Sequence, residues 1–380
     1  MPATDLLISA DSHVLEPADL WTTRLPSAYR DRAPRVYYDA ARESWLFGGP
    51  DVPPQPIASS FVAGVALDQL PAMERAGYAA ARPGGWDPAA RLADMAQDGV
   101  SAEVLYPSLG LFMYWIEDGA FQAACFRAYN DWLIEYCAAY PDRLVGVAMI
   151  ALWDAAAAAR ELRRCHAAGL RGALVWERPP AARAFTLACN DPFWAAAAEL
   201  AMPVSLHILT DWGSSRRRVL ERLAGLERHR ASVALNFEIE MALFDLVFSG
   251  VLERFPGLRV VSVENEYGWL AALLRRMDRS YERFRREAPV PLRLRPSEYY
   301  RRQIYATFFN DPVGPATLPF LGYDNVMWSS DYPHQNSTWP RSREVIARDL
   351  AALDAAQRRK LVRDNVARLY GLAVPEPLAV

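Results

Sequence analysis

The sequence contains a single lysine, Lys360, so every other cationic side chain in the chain is an arginine. A Schiff base or a lysine-derived metal bridge could therefore come only from Lys360. The net charge is −3 and there is no basic tail, which argues against a nucleic-acid partner. No run of about 18 uncharged apolar residues occurs, so we expect no membrane-spanning helix.

Cysteine is scarce, and its spacing excludes a zinc ribbon or a disulfide framework. Cys125, Cys137, Cys165 and Cys189 form no CxxC pair. They are typical of reduced thiols in a cytoplasmic protein. The first residues lack a basic start followed by an apolar run, so we expect no signal peptide and a cytoplasmic location.

Short apolar segments alternate with amphipathic helical patterns along most of the 380 residues. Their continuous apolar character is typical of strands that are covered on both faces. We predict strands at 6–10, 100–106, 144–150, 172–176, 202–208, 258–263, 304–309 and 325–329. Eight such strands alternating with helices, among them a predicted helix at 216–226, indicate an α/β fold, a (β/α)8 TIM barrel. An open doubly wound sheet is the alternative, although no GxGxxG follows the first strand.

One stretch, from about residue 16 to residue 98, breaks this alternation. It is rich in proline and glycine, as in Gly48-Gly49-Pro50 and Pro83-Gly84-Gly85. Loops of this length usually act as lids or interface elements. We predict a single domain over residues 1–380, with residues 16–98 inserted after the first strand and folded over the barrel mouth.

Charged and imidazole side chains recur where the predicted strands end, which is the face on which TIM barrels carry their sites. Because side chains alternate along a strand, Asp11 and His13 should point the same way, into the barrel mouth. The whole group comprises Asp11, His13, Glu177, His207, Glu264, Asp331 and His334.

Each of these residues has an ordinary structural explanation when it is taken alone, as a hydrogen-bonded histidine, an ion-paired glutamate or a helix-capping aspartate. Carboxylates that crowd together in one barrel mouth would repel one another, and a divalent cation removes that repulsion. The strand ends together therefore predict a metal site. The other two histidines, His166 and His229, lie in arginine-rich helical stretches and are expected at the surface.

Aromatic residues also cluster near the predicted strand ends, and two interpretations are open. Large aromatic side chains are often buried in the core, but those in loops could form the wall of an apolar substrate pocket. The candidates for the pocket are Tyr106, Trp115, Trp176, Trp212, Trp269 and Trp339, with Tyr332 beside them.

Three segments resemble the amidohydrolase superfamily, and within it the branch named for aminocarboxymuconate-semialdehyde decarboxylase. They are ISADSHVLEPADLW, LERFPGLRVVSVENEYGW and NVMWSSDYPHQNSTWP. The resemblance covers nearly the whole chain and implies a metal-dependent TIM barrel that forms dimers or larger assemblies. This branch of the superfamily includes non-oxidative decarboxylases of aromatic acids, hydratases and hydrolases. By this resemblance, Asp11, His13, His207 and Asp331 are metal ligands.

The chain departs from the family pattern in three ways. The first motif is Asp-x-His instead of His-x-His, and Glu264 stands where the decarboxylases place a catalytic histidine. No lysine is available near Glu177 to bridge two metals, so Glu177 or Glu264 could bridge instead. Seven ligands suit two metal ions better than one. This set resembles the non-haem di-iron monooxygenase group of the fold, which includes a β-hydroxylase of platensimycin-type diterpenoid biosynthesis.

We therefore predict first a dinuclear iron monooxygenase that uses O₂ to hydroxylate a bulky apolar small molecule, with Glu264, Asp331 and His334 as catalytic residues. The alternative is a zinc- or manganese-dependent hydrolase or non-oxidative decarboxylase of an aromatic or related carboxylic acid. A non-catalytic binding protein is the third hypothesis. In each case we expect a homodimer with no nucleic-acid or membrane partner.

Overall fold

Eight parallel strands form the centre of the computed structural model, which describes residues 6–212 and 225–373. Their neighbours in the sheet follow chain order, and their residues are almost all buried. All eight predicted strands are present, and the predicted TIM-barrel fold is confirmed. The strands are β1 (Leu7–His13), β5 (Val100–Tyr106), β6 (Leu144–Met149), β7 (Gly172–Val175), β8 (Val204–His207), β9 (Val260–Val263), β10 (Ile304–Phe308) and β11 (Val326–Trp328).

The first and last strands approach each other at their C-terminal ends, where backbone hydrogen bonds join the two segments. The amide of Asp331 donates to the carbonyl of Asp11 at 3.0 Å, and the amide of His13 donates to the carbonyl of Tyr332 at 2.7 Å. The segment after β11 is therefore fixed directly beside the end of β1, although more than 300 residues separate them in the chain. This closure brings the first and last predicted site residues together.

Helices connect and cover the strands, and several begin at an aspartate that caps the first turn. Asp87, Asp118 and Asp154 each accept backbone amide protons at a helix N-terminus. The predicted helix at 216–226 lies almost entirely outside the described residues. The α-helices are Leu20–Arg24, Leu70–Ala76, Pro88–Asp98, Gly119–Ala138, Ala155–Ala167, Asp191–Glu199, Leu226–Phe248, Val251–Arg254, Leu270–Phe284, Pro296–Gln303, Gly314–Leu321, Ser342–Asp349, Ala355–Arg359 and Asn365–Tyr370. None of the helices in the described ranges is long and apolar enough to cross a lipid bilayer.

The segment between β1 and β5 contains a small antiparallel sheet of its own. Its strands are β2 (Arg35–Asp39), β3 (Ser44–Gly49) and β4 (Val52–Pro56). After β4 the chain reaches the loop that follows β11, where the amide of Gln335 donates to the carbonyl of Ser59 at 3.0 Å. Part of the segment therefore lies at the barrel mouth, while its action as a lid remains a prediction.

Candidate metal centre

Two histidines and three carboxylates converge at the C-terminal ends of the barrel strands. The Nε2 atoms of His13 and His207 lie 3.4 Å apart. Nε2 of His13 is 3.4 Å from Asp11 Oδ1 and 3.5 Å from Asp331 Oδ1, and Nε2 of His207 is 3.6 Å from Glu264 Oε2. These atoms come from the ends of β1, β8, β9 and β11, so barrel closure itself creates the cluster.

Backbone carbonyls fix the tautomers of both central histidines. Nδ1 of His13 lies 2.8 Å from the carbonyl oxygen of Pro107, and Nδ1 of His207 lies 2.8 Å from that of Ile208. A carbonyl can only accept, so each Nδ1 carries the proton and donates it. In the neutral rings, both Nε2 lone pairs then point into the cluster, which is the arrangement found when histidine binds a metal.

His334 joins the cluster from the loop after β11, and its hydrogen bonds define its tautomer as well. The Ser108 hydroxyl donates to the carbonyl of Val14 at 2.7 Å, so it accepts from His334 Nε2 at 2.9 Å. The unprotonated Nδ1 then faces Asp331 Oδ1 at 3.1 Å. Two acceptors facing each other require a proton or a cation between them.

The carboxylates of Asp11 and Asp331 provide a test of whether a cation fits. Both side chains are fully buried, and none of their four oxygens accepts a hydrogen bond within the described part of the chain. Buried, unsatisfied carboxylate oxygens are costly, and a divalent cation coordinated by them removes that cost. Oxygen and imidazole donors of this kind suit Zn²⁺ and Mn²⁺ alike.

The pKa values of the three carboxyl groups are set by burial and by the charges of their neighbours. Burial and the nearby carboxylates, chiefly the charge of Asp331 on Glu264 and that of Asp11 on Asp331, raise the pKa of both groups well above the ordinary range. Burial also acts on Asp11, but the neighbouring His13 and His207 outweigh it and lower the pKa of Asp11. Without a cation, burial therefore favours the protonated form of both carboxyl groups, and a cation coordinated by Asp331 would displace the proton of that residue.

The histidines differ in their tendency to be charged. Burial, reinforced by the charge of His334, lowers the pKa of His13 to about 3, and burial lowers that of His334 to about 3. Burial opposes charge on His207 too, but Asp11 and Glu264 outweigh it and raise its pKa to about 9. His13 and His334 are therefore neutral at neutral pH, and each has an unprotonated ring nitrogen that can bind a cation.

Glu264 and Asp331 both adopt a left-handed backbone conformation, with φ values of 59° and 55°. Such conformations are unfavourable for residues other than glycine and recur at functional sites. At Glu264 the backbone amide donates to Thr307 Oγ1 at 3.0 Å, which holds the turn in place. The two strained residues carry the two carboxyl groups whose pKa is raised most strongly.

The structure brings together all the predicted ligands except Glu177. Two overlapping groups have ligand atoms within 4.8 Å of one another, one with Asp11, His13, His207 and Glu264, the other with His13, Glu264, Asp331 and His334. Glu177 is fully buried at the end of β7, where its amide donates to Thr210 Oγ1 at 2.7 Å, and it belongs to neither group. The predicted bridge through Glu177 therefore has no counterpart in these clusters.

An open cavity of about 170 Å³ leads to the cluster. Its walls include Glu264, Asp331 and His334 from the cluster, together with Ser60, Ser108 and Phe112. Substrate entering here would meet a polar surface at the point where the cation ligands converge.

The predicted aromatic residues do not line this cavity. Tyr106 is buried beneath the cluster, where its hydroxyl contacts Ser205 Oγ at 2.9 Å. Trp176 and Trp212 pack edge-on against Trp153, and Trp339 packs on Tyr332. The remaining two, Trp115 and Trp269, are fully and partly buried. The interpretation as core packing therefore fits these contacts better than the interpretation as a pocket wall.

Sequence reasoning missed two buried residues that hold the segments around the cluster in place. Glu16 is the first of them. Its two carboxylate oxygens accept from the amides of Leu109 and Gly110 at 3.0 and 2.8 Å. Burial raises its pKa to about 7. Glu16 thus holds the start of the 3₁₀ helix Leu109–Trp115, which carries Phe112 into the cavity wall. Its position within the DSHVLEP segment was the available signal.

Arg91 is the other missed residue, and it connects the ends of the first and last strands. The guanidinium is fully buried, pairs with Glu103 at 2.6 Å and donates to the carbonyl of His13 at 2.7 Å. It also lies over the Tyr332 ring, 4.6 Å from the centroid, and donates to the Tyr332 carbonyl at 3.4 Å. Arg91 therefore positions the segments that carry Asp11, His13 and Asp331 without touching the cluster itself.

Replacing Arg91 by methionine should weaken cation binding by about 10–100-fold, the range that follows loss of groups that orient metal ligands. Leaving Glu103 buried without its partner should also destabilise the fold by about 3–5 kcal/mol. The double variant Arg91→Met, Glu103→Met removes both charges and should recover most of the stability but not the affinity. Calorimetric titration with Mn²⁺ and thermal denaturation measure the two effects separately. Recovery of both in the double variant would show that Arg91 serves stability alone.

Comparisons with known proteins find relatives of this chain that are similar in sequence and others that are similar in fold. The γ-resorcylate decarboxylase of Rhodococcus jostii is 31% identical over 258 residues, covering 65% of this chain and 76% of the relative. An amidohydrolase from Mycobacterium avium subsp. paratuberculosis superposes with a TM-score of 0.78 at 22% identity, over 97% of this chain and 99% of that chain. A dihydroxybenzoic acid decarboxylase from Polaromonas, solved with manganese and the inhibitor 2-nitroresorcinol, has a TM-score of 0.68 at 19% identity, over 99% and 100%.

These relatives overturn the first functional prediction. The relatives matched by sequence, and several of the matched structures, are decarboxylases of aromatic acids and not di-iron monooxygenases, so the predicted monooxygenase activity is wrong. The predicted iron finds no support either, and O₂ was predicted only as the oxidant for that activity. The error came from treating the missing lysine and Glu264 as signs of a second metal. A site for one ion needs no bridging lysine, so the absence of lysine is equally expected there.

The match to the family extends over almost the whole molecule. The amidohydrolase family profile matches residues 13–372, from His13 in the first motif to two residues beyond the last helix. Together with the barrel, the strand-end cluster and the relative that is 31% identical, this match assigns the family. The chain belongs to the amidohydrolase family.

Proposed function

We propose that this protein is a metal-dependent, non-oxidative decarboxylase of a hydroxylated aromatic carboxylic acid. The observation that carries the proposal is the convergence of the Nε2 atoms of His13 and His207 with buried carboxylate oxygens that accept no hydrogen bond, at the base of a cavity. Two relatives with similar sequences, 31% and 27% identical to this chain over the aligned residues, are decarboxylases of γ-resorcylate, a dihydroxybenzoate.

A single ion fits the cluster better than two. The two overlapping ligand groups share His13 and Glu264, and His13 Nε2 is nearly equidistant from Asp11 and Asp331. One cation at this point would be held by Asp11, His13, His207 and Asp331. Manganese is the first candidate because the Polaromonas decarboxylase binds it, and zinc is the alternative.

The bound cation would act as a Lewis acid for the carboxylate and adjacent hydroxyl of the substrate. The reaction itself requires a proton. The bond between the ring and the carboxyl carbon breaks, CO₂ leaves, and the ring carbon keeps the electron pair and takes up one proton. No oxidant or reductant takes part, so the protein must supply a proton donor beside the vacated ring carbon.

Glu264 has the properties that a proton donor needs. It lines the cavity, its carboxyl lies 3.6 Å from His207 Nε2, and burial raises its pKa, which favours the protonated form that a donor needs. General acids with a raised pKa are common in enzymes that transfer a proton at neutral pH. Glu264 would therefore take the place of the histidine that the family resemblance puts at this position.

Asp331 and His334 form the second proton-handling unit. Their 3.1 Å contact links the cluster to the Ser108 hydroxyl at the cavity wall. We propose that His334 passes a proton along its ring between turnovers, from Nε2 at Ser108 to Nδ1 at Asp331, so that the donor is reprotonated without a lasting charge on the imidazole. The earlier assignment of Glu264, Asp331 and His334 as catalytic residues is kept within this proposal.

The direct test is anaerobic incubation of Mn²⁺-loaded protein with 2,6-dihydroxybenzoate, with benzoate as the substrate control. We expect one CO₂ for each molecule of resorcinol and no reaction with benzoate, which has no hydroxyl to bind the cation. In D₂O the product should carry one deuterium on the vacated ring carbon, measured by mass spectrometry. Failure to release CO₂ from any of a panel of hydroxybenzoates, with Mn²⁺ or Zn²⁺ shown to be bound, would overturn the proposal.

A further inference from the structure

The cavity above the cation cluster has a set of polar side chains that the proposed reaction does not use. Its volume of about 170 Å³ is well below the roughly 300–1,000 Å³ of pockets that bury drug-sized ligands, so a substrate with a single ring fits it. The uncharged polar side chains of its lining come from the insertion between β1 and β5 and from the loop after β11. They are Ser59, Ser60, Gln335 and Asn336.

Ser60 differs from the other three because it is buried. Only 6% of its surface is exposed, whereas Ser59, Gln335 and Asn336 are all exposed to solvent. A serine hydroxyl can donate one proton and accept two, yet that of Ser60 makes no hydrogen bond with any residue in the described ranges. The hydroxyl of Ser108, also buried in the lining, is already engaged in two hydrogen bonds. The Ser60 hydroxyl is therefore free to bind a polar group of the substrate.

Backbone hydrogen bonds hold Ser60 in position beside the cavity. Its amide donates to the carbonyl of Ile57 at 3.0 Å, within the turn that carries it. The carbonyl of the neighbouring Ser59 accepts from the amide of Gln335 at 3.0 Å, and Gln335 directly follows His334. The segment with Ser60 is thus attached to the loop that contributes His334 to the cluster. A hydrogen-bonding group that is fixed before binding loses little conformational freedom when the ligand arrives.

Another part of the lining is apolar and is formed by Leu111, Phe112 and Leu209. Phe112 lies on the 3₁₀ helix Leu109–Trp115, and its ring centroid is 5.4 Å from that of Trp115. Aromatic side chains pack favourably against other rings, so the ring of a substrate would lie against this part of the lining. The polar substituents of the ring are then left to the uncharged polar side chains.

We propose that Ser60 selects substrates with a hydroxyl group on the ring carbon farthest from the carboxylate, as in 2,4-dihydroxybenzoate. The placement of the carboxylate and its adjacent hydroxyl at the cation rests on the proposed function. The far end of a ring held in this way points out toward the mouth, where the insertion supplies Ser60. A neutral hydroxyl there can form a hydrogen bond with Ser60 and adds no further charge beside the buried carboxyl groups of Glu264 and Asp331.

Selection by Ser60 is tested by comparing 2,4-dihydroxybenzoate with 2-hydroxybenzoate on Mn²⁺-loaded protein, with Ser60 intact and as Ser60→Ala. The ratio of the two dissociation constants is measured by calorimetric titration in the Glu264→Gln background, where neither compound should lose CO₂. We expect 2,4-dihydroxybenzoate to bind about five- to tenfold more tightly with Ser60 intact, as one hydrogen bond allows, and equally in Ser60→Ala. Intrinsic differences between the compounds are the same in both proteins, so the change in the ratio isolates the Ser60 contact. The ratio of kcat/KM values with Glu264 intact is the second measurement.

Two controls separate the hydrogen bond from size and from general effects of substitution. With Ser60 intact, 2-hydroxy-4-methylbenzoate should bind no more tightly than 2-hydroxybenzoate, because its methyl group fills similar space without a hydrogen bond. Ser27→Ala removes an exposed serine from the same insertion and should leave the ratio unchanged. A ratio near one with Ser60 intact, or the same ratio in Ser60→Ala, would overturn the selection by Ser60.

The outcome for Ser60 is distinguishable from the outcome for the reaction. Release of CO₂ from 2-hydroxybenzoate together with a ratio near one would support the proposed function and overturn the role of Ser60. A ratio that depends on Ser60, without release of CO₂ from either compound, would support the role of Ser60 and count against decarboxylation. Failure of both compounds to bind the Mn²⁺-loaded protein would overturn the role of Ser60.

Discussion

Replacing His207 by alanine should reduce Mn²⁺ affinity by at least about 100-fold and abolish turnover. Its Nε2 lies 3.4 Å from that of His13, and β8 carries no other imidazole or carboxylate that could replace it. Loss of a direct ligand should exceed the 10–100-fold loss typical of groups that only orient ligands. Metal content after dialysis, measured by mass spectrometry, and calorimetric titration give occupancy and affinity.

The matched control is His166→Ala, which removes an exposed histidine from helix Ala155–Ala167. It should bind Mn²⁺ as the wild type does. His13→Ala and Asp331→Ala should behave like His207→Ala, and all three should remain folded. Saturating Mn²⁺ should raise the melting temperature of the wild type but not that of the three variants. A cation stabilises the native state only of a protein that binds it. Full occupancy in all three would remove the basis of the ligand assignment.

Replacing Glu264 by glutamine should lower turnover by about 10²–10⁴-fold while the protein still binds its cation. Glutamine has nearly the same shape but cannot give up a proton to the ring carbon. The rate of CO₂ release and the metal content of the same preparation should therefore separate: the first falls and the second stays. If metal is lost in proportion to activity, Glu264 is a ligand and not the proton donor.

Glu266 offers the comparison for this variant, since it is a partly buried glutamate on the same turn, whose pKa burial raises to about 7. Its Oε1 accepts from the amide of Asn310 at 3.3 Å and it belongs to neither ligand group. Glu266→Gln should change turnover by less than about tenfold, as expected for a neighbour that acts only through its charge. Equal losses in both variants would indicate a general effect of charge at this turn.

The barrel was predictable because its strands are buried on both faces, which leaves short apolar runs such as Val100–Tyr106 in the sequence. The cluster was predictable for a related reason: parallel strands deliver their last residues to one edge, so Asp11, His207 and Asp331 had to meet. The supporting residues were not. Arg91 reaches the carbonyl of Tyr332 across 241 positions, and nothing local distinguishes it from the other arginines.

Chemistry was harder to predict than position. Glu177 follows a strand as the true cluster members do, and only the three-dimensional arrangement shows that it lies in neither ligand group. The aromatic side chains gave no usable signal either, because Trp176 and Trp339 are equally plausible as core or as pocket wall until their contacts are known. The residue types therefore predicted a metal site. The proposed reaction depends instead on the relatives and on which side chains at the cavity can hold a proton.

The left-handed backbone at Glu264 and Asp331 has a consequence for how this protein can be engineered. Glycine at either position would relieve the backbone strain and remove a buried carboxyl group, so each change should favour the folded apoprotein. A library selected only for heat resistance would therefore drift toward variants without these groups and toward inactive barrels. Selection has to be made on metal-loaded, active protein, because a cation bound by Asp331 would stabilise the native state and turnover would require Glu264.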